Sequence, residues 1–266
     1  MLSAKLVSIL AILKNCLKKW KNVIQSWLKP WQKKNQKNKH AKYLKTMDLL
    51  DGLRDRKTIR GFLKKEVPRE VIKKILTDAH WAPSSSNQQP WNFHVITGES
   101  LSNLCSKILD AHNKKKMSYD PSRGKTIPEE YVKRTKKLFI GLRLFISSLG
   151  EENRTFIESG SFRFYDAPVV IFITMYKNLP KSRLMDIGMA VENLMLSAHG
   201  RGFGTCAIAL TLLYADVINS ELNIPQDFET VLCIALGYPD NDFTVNEFRS
   251  SREDIEKFIT WIGFGD

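Results

Sequence analysis

Apolar positions along the chain fall into two kinds of run. Between Arg69 and Trp81, Val71, Ile72, Ile75, Leu76 and Ala79 return every three to four residues, the spacing of one helix face. Pro68 stands where that helix would open. Ser100 to about Lys114 has the same period, with Leu101, Leu104, Cys105 and Ile108 inward; 129–149 reads as a helix rich in Lys and Arg on one side. A long apolar helix is predicted over Leu184–Arg201, and short ones over Asp48–Asp55 and Tyr214–Leu222. The second kind of run is continuous. PVVIFITMY at 168–176 and the segment 230–236 are apolar and β-rich without interruption, as strands buried on both faces are. NFHVIT at 92–97 adds a third strand, and Thr205–Leu210 continues apolar after the glycine-rich connection GRGFGTC. Met117–Pro128, polar with Pro and Gly, reads as a loop. Trp81 and Trp91 are expected in the core. This order of elements gives an α+β fold, a central mixed sheet covered by helices.

The first 45 residues follow a different pattern. Leu6, Ile9, Leu10, Leu13, Leu17, Trp20, Ile24, Trp27 and Trp31 line one helical face, with lysines, Asn22 and Gln25 elsewhere. QKKNQKNKHAK then lacks apolar side chains and reads as a flexible linker. We therefore divide the chain into a basic amphipathic helix with linker, 1–45, and a globular domain, 46–266. The apolar run is too short to span a bilayer, and no small-residue cleavage site follows it. A helix of this composition suits an anionic membrane surface; packing on the protein's own assembly is the alternative.

Charge sharpens that division. The formal net charge is +13, and residues 1–47 hold twelve lysines with no Arg, Asp or Glu. Taking +12 from +13 leaves +1 for everything that follows. Lysines without arginine or a groove-reading motif argue against nucleic acid. Cys16, Cys105, Cys206 and Cys233 are scattered, with no CxxC and no Cys/His cluster, so neither a zinc site nor a disulfide framework is indicated, and a reducing, cytoplasmic setting is expected.

Candidate chemistry concentrates in Asp55–Thr97. Arg56, Lys57, Thr58 and Arg60 form a basic and hydroxylic cluster suited to a phosphate and a polyol. APSSSNQQPW at 82–91 supplies Ser, Asn and Gln, which offer both donors and acceptors to the edge of a heterocycle. No GxGxxG follows a strand and no GxxxxGK[ST] is present, so neither a Rossmann site nor a P-loop is indicated.

Four segments, in order, resemble the flavin-dependent nitroreductase family: RKTIRGF at 56–62, APSSSNQQPW at 82–91, MDIGMAVENLMLSAHGRGFGTC at 185–206, and LGYPD at 236–240 with NEFRSSREDIEKF at 246–258. The spacing is most similar to the branch that acts on nitrobenzoates. The resemblance implies a nitroreductase-like homodimer with FMN at the interface. It places Arg56 on the FMN phosphate, with Lys57 and Thr58 on the phosphate and ribityl chain. It places Arg60 at the flavin N1–C2=O edge as the catalytic cation, and Cys206, Ala207, Ile208 and Ala209 along the ring. Pro83, Ser84, Ser85, Asn87 and Gln89 would come from the partner subunit, and Arg249 and Arg252 would return to the phosphate. Apart from the resemblance, Glu192, mid-helix beside Asn193, is a candidate for an interface.

The implied activity is a ping-pong oxidoreductase that passes hydride from NADH or NADPH through flavin N5 to an electron-poor acceptor, a nitroaromatic or quinone. No metal is implied. Rival readings are a reductive dehalogenase, a flavin-fragmenting member of the same family, and a membrane-associated flavin-binding redox module without turnover. The expected location is cytoplasmic, peripheral to the membrane if residues 1–45 dock there.

Overall fold

The computed structural model describes residues 48–118, 126–150 and 152–264. The helix and linker expected over 1–45, and 119–125 of the expected loop, lie outside the described residues. The described chain runs α1 (Leu49–Asp55), α2 (Arg69–His80), β1 (Asn92–Thr97), α3 (Gly98–Asn113), α4 (Glu129–Ile146), α5 (Asn153–Phe162), β2 (Val169–Tyr176), α6 (Arg183–Gly200), β3 (Gly204–Ile208), α7 (Ala215–Glu221) and β4 (Phe228–Gly237).

The four strands make one sheet in the order β1-β2-β4-β3. All three strand pairs are antiparallel; parallel pairing enters at an isolated bridge between Thr58 and Thr205. The two central strands are the two continuous apolar runs, and the two-residue period of a strand shows why both faces had to be apolar. Val169, Ile171, Ile173 and Met175 face one core with α2 and α6, while Val170 and Phe172 face another with α3, α4 and α5. Thr174 interrupts the second face beside a register shift against β4, and its hydroxyl lies 3.0 Å from His94 Nε2.

Two features depart from the sequence expectation. Helix α5 was not anticipated: NRTFIESGSF lacks an unbroken apolar stripe and carries Gly160 in its last turn. Trp81 is 83% exposed rather than in the core, because α2 ends at His80 and the residue caps the helix. Trp91 is buried and its Nε1 donates to His80 Nδ1 at 3.1 Å.

The segment after α1 is laid against the edge of β3 and the stretch that follows β4. The Ile59 N–H donates to the Thr205 carbonyl at 3.0 Å, the Leu63 N–H to the Tyr238 carbonyl at 2.9 Å, and the Asp240 N–H to the Gly61 carbonyl at 3.0 Å. The approach needs a glycine in β3, since a Cβ at Gly204 would stand 2.6 Å from Ile59 Cγ1.

Candidate functional site

This docking brings two distant candidate segments together, Arg56–Arg60 and Cys206–Ala209. Asn246, buried in the loop after β4, fixes the backbone between them. Its Oδ1 accepts from Arg60 N at 2.7 Å and Gly61 N at 3.1 Å. Its Nδ2 donates to the Gly61 and Asp240 carbonyls, both at 2.8 Å. The four bonds use both donors and two acceptor positions of one amide. Asn246 was missed from the sequence; a single Asn in a loop carries no periodic signal.

Along β3 the side chains alternate. Cys206 and Ile208 are buried, whereas Ala207 and Ala209 are exposed. The outward face of this edge is therefore methyl-sized, open to a flat ligand, with backbone groups within reach. Burial pushes the Cys206 thiol up to about 11, against the opposing pull of Arg60. It is a core group and not a nucleophile.

The cations gather at one end. Arg56 is mostly buried, and its Nε donates to Glu192 Oε1 of α6 at 3.2 Å. A contact through Nε leaves the outer guanidinium edge for another anion. Arg249 Nη1 donates to the Asp55 carbonyl at 3.2 Å. His199 lies among them: burial lowers its pKa, Asp55 opposes that, and both Arg56 and Arg249 lower it further. Arg56, Lys57, His199, Thr205 and Asn246 share a cavity of about 280 Å³. Arg252 is folded onto Ser250 and Ser251 beside a second cavity, which Arg249 and, from α4, Arg134 and Lys137 also line.

The polar loop is held by the other end of α6. Ser86, Asn87 and Gln89 have left-handed backbones, φ 51°, 53° and 47°. The Gln89 N–H donates to Ser84 Oγ at 3.0 Å and Gln89 Nε2 to the Asn87 carbonyl at 3.0 Å. The Ser85 N–H donates to Asp186 Oδ2 at 3.3 Å, which also receives Arg183 Nη1 at 3.0 Å. This ion pair is nearly enclosed, with 8% of the Asp186 and 16% of the Arg183 side chain exposed. Pro83, Ser85 and Asn87 remain exposed. Among the described residues, no hydrogen bond or ion pair joins this loop to Arg56–Arg60. Asp186 and Arg183 were not singled out in the sequence, where a charged pair three apart reads as a surface feature.

These parts amount to a binding surface for a flat molecule with an anionic end: cations at one end of an open strand edge, and donors and acceptors on a stiffened loop. A profile of the nitroreductase family matches residues 53–238, and the chain belongs to that family. It is 36% identical over 228 residues to a chloronitrobenzene nitroreductase of Comamonas testosteroni, covering 80% of this chain and 96% of the relative. It is 34% identical over 218 residues to a 4-nitrobenzoate reductase of Pseudomonas putida, covering 79% and 93%. The FMN-dependent nitroreductase NfnB of Mycobacterium smegmatis, solved in complex with NADPH, superposes with a TM-score of 0.70 at 25% identity, covering 80% of this chain and 97% of that one.

Asp186→Ala should destabilise the protein by about 3 kcal/mol, because it strands Arg183 in a buried site, and should loosen residues 84–89. Urea unfolding and amide hydrogen exchange read the two effects. Unchanged stability with unchanged exchange at Ser85 would mean the ion pair does not hold the loop.

Proposed function

We propose that this chain is an FMN-dependent oxidoreductase, homodimeric, that uses NADH or NADPH to reduce electron-poor acceptors, nitroaromatics first and quinones second. The observation that carries this reading is the meeting of Arg56, Lys57 and Arg249 at one end of the β3 edge, with Arg60 further along it. The residues fit the cofactor. Two guanidinium groups and an ammonium suit a dianionic phosphate; Ala207 and Ala209 leave room for a flat ring; the Arg60 Nε is buried without a hydrogen-bond partner, a donor not satisfied by the protein. Relatives that reduce chloronitrobenzene and 4-nitrobenzoate support the acceptor class, and the NADPH-bound neighbour supports the donor.

In this reading Arg56, Lys57, Thr58 and Arg249 hold the phosphate and ribityl chain. Arg252, turned toward α4, has a lesser part. Glu192 aims Arg56 by occupying its Nε. FMN held by these residues would supply the redox chemistry that links the nicotinamide donor to the acceptor. Arg60 places a fixed positive charge where negative charge grows on reduction, the situation in which preorganised charge lowers a barrier most. Pro83, Ser84, Ser85, Asn87 and Gln89 close the site from the partner subunit. Exposed apolar residues support that pairing: Leu49, Leu50 and Leu53 on α1, and Leu184, Met185 and Met189 on α6, two helices in contact with each other.

The site assignments separate by measurement. The purified protein should be yellow and release FMN, not FAD, on denaturation. Arg56→Ala and Arg249→Ala should each weaken FMN binding by about tenfold or more, the scale of a hydrogen bond to a charged group, and Arg252→Ala by far less. Arg60→Ala should slow flavin reduction in stopped flow more than it weakens binding. Equal effects of Arg56→Ala and Arg60→Ala on both quantities would remove the division of roles.

We also infer that residues 46–266 form the catalytic domain and that 1–45 dock it, from the cytoplasmic side, on anionic membranes. Each lysine near such a surface contributes about 1 kcal/mol, while the rest of the chain, at +1, has no comparable attraction. In liposome flotation the intact protein should bind anionic vesicles at low salt and leave them at high salt. A 46–266 truncation should stay unbound yet turn over a soluble acceptor. Indifference of the intact protein to anionic vesicles, or loss of turnover on truncation, would assign residues 1–45 to the dimer's own structure.

A further inference from the structure

Tyr165 is held in place by an unusual backbone. Phe164, Tyr165 and Asp166 all adopt left-handed angles, φ 53°, 54° and 55°, a region that residues with a Cβ avoid. A run of three persists only where the surroundings over-determine it, and here they do. Phe164 is fully buried and meets Phe172 edge-on, 5.6 Å between ring centroids. The Tyr165 ring packs 5.9 Å from Phe156 and lies so close to α5 that a Cβ at Gly160 would stand 2.3 Å from its edge. The Tyr165 hydroxyl is 3.5 Å from Ser161 Oγ. Burial raises the phenol's pKa, while the Arg60 charge and side-chain hydrogen bonding to Ser161 and Arg60 work against it, so the ring is neutral at physiological pH.

The turn delivers this ring to Arg60. The Arg60 Cζ lies 5.9 Å from the Tyr165 ring centroid. Asn246 fixes the Arg60 backbone from the other side, while the buried Arg60 Nε has no hydrogen-bond partner to steer the side chain. An arginine held at its backbone but not at its Nε depends on a surface to set its direction. An aromatic face does this for a planar guanidinium, by stacking and by attraction to the ring's negative face.

We propose that Tyr165 is a positioning residue for the reaction: its ring is the shelf that directs the Arg60 guanidinium along the β3 edge, so that the charge is in place before electrons arrive. Gly160 and the left-handed turn exist to seat that shelf. The proposal rests on the reading of Arg60 as the cation that favours the reduced cofactor.

The test uses the FMN-loaded, full-length protein and compares flavin midpoint potential and rate of flavin reduction. Tyr165→Met fills much of the space without a ring; Tyr165→Phe keeps the ring. Arg60→Ala should lower the potential and slow reduction about tenfold. Tyr165→Met should move both in the same direction, by about fivefold in rate. Tyr165→Phe should stay within about twofold of the parent, because the aromatic face is retained. Tyr165→Met added to Arg60→Ala should slow reduction no further. Gly160→Ala, which leaves the Arg60 and Tyr165 side chains themselves unaltered but sets a Cβ against the ring, should displace the ring and lower the potential, and it decides the matter if Tyr165→Met does not fold. If Arg60→Ala lowers the potential while Tyr165→Met and Gly160→Ala leave it unchanged, Tyr165 is core packing and the proposal falls. A full additional loss in the double variant overturns it equally. If Arg60→Ala leaves potential and rate unchanged, the reading of Arg60 itself fails.

Discussion

Helix α6 is the constraint on which the site depends. Ile187, Ala190, Val191, Leu194 and Ala198 bury it against the sheet and α2. Polar residues reach the site from it at three levels: Asp186 holds the polar loop, Glu192 holds Arg56, and His199 stands among Arg56, Arg249 and Asp55. At about 1.5 Å of rise per residue these levels span roughly 20 Å. Because interiors are close-packed and yield little, one apolar helix sets the spacing of parts that are far apart in sequence.

The second constraint is backbone accounting along 59–63. A segment lying on a sheet edge must satisfy its amides, and it does so through Thr205, Tyr238, Asp240 and the Asn246 side chain. Arg56 and Arg60 thus leave a fixed backbone, but their surroundings differ. Arg56 is aimed by a carboxylate and sits near other cations, which in the proposed reading suits a phosphate that stays charged in both redox states. The Arg60 guanidinium carbon lies 5.9 Å from the centre of the Tyr165 ring, a neighbour that adds no opposing charge, and in the proposed reading this leaves its full charge for an anion that appears only on reduction. The sheet and helices make this division by geometry, without a titrating side chain.

Much of this was legible in the sequence, and what was not has a physical cause. The strands β2 and β4 were readable because strands buried on both faces must be apolar throughout. Helices α2, α3 and α6 were readable because each carries an apolar stripe. Helix α5 was hidden because its Gly160 serves the Tyr165 ring, a tertiary need that contradicts helix propensity. The turn at 164–166 was hidden because no glycine or Asn-Gly pair marks it. Arg56, Lys57, Thr58 and Arg60 could be singled out as a cluster of one chemistry. Asp186 and Asn246 could not be assigned roles, and Glu192 was expected at an interface and not beside Arg56, since each acts on a residue more than a hundred positions away or on a backbone group in another segment.

The central claim is that each chain offers two half-sites, cations on the β3 edge and a polar loop on α6, and that two chains complete each other. Sedimentation velocity, followed at the flavin absorbance across a dilution series, tests it most directly. The account predicts that flavin absorbance travels only with the dimer and appears as free cofactor as the dimer dissociates. A monomer that carries one FMN per chain would contradict it.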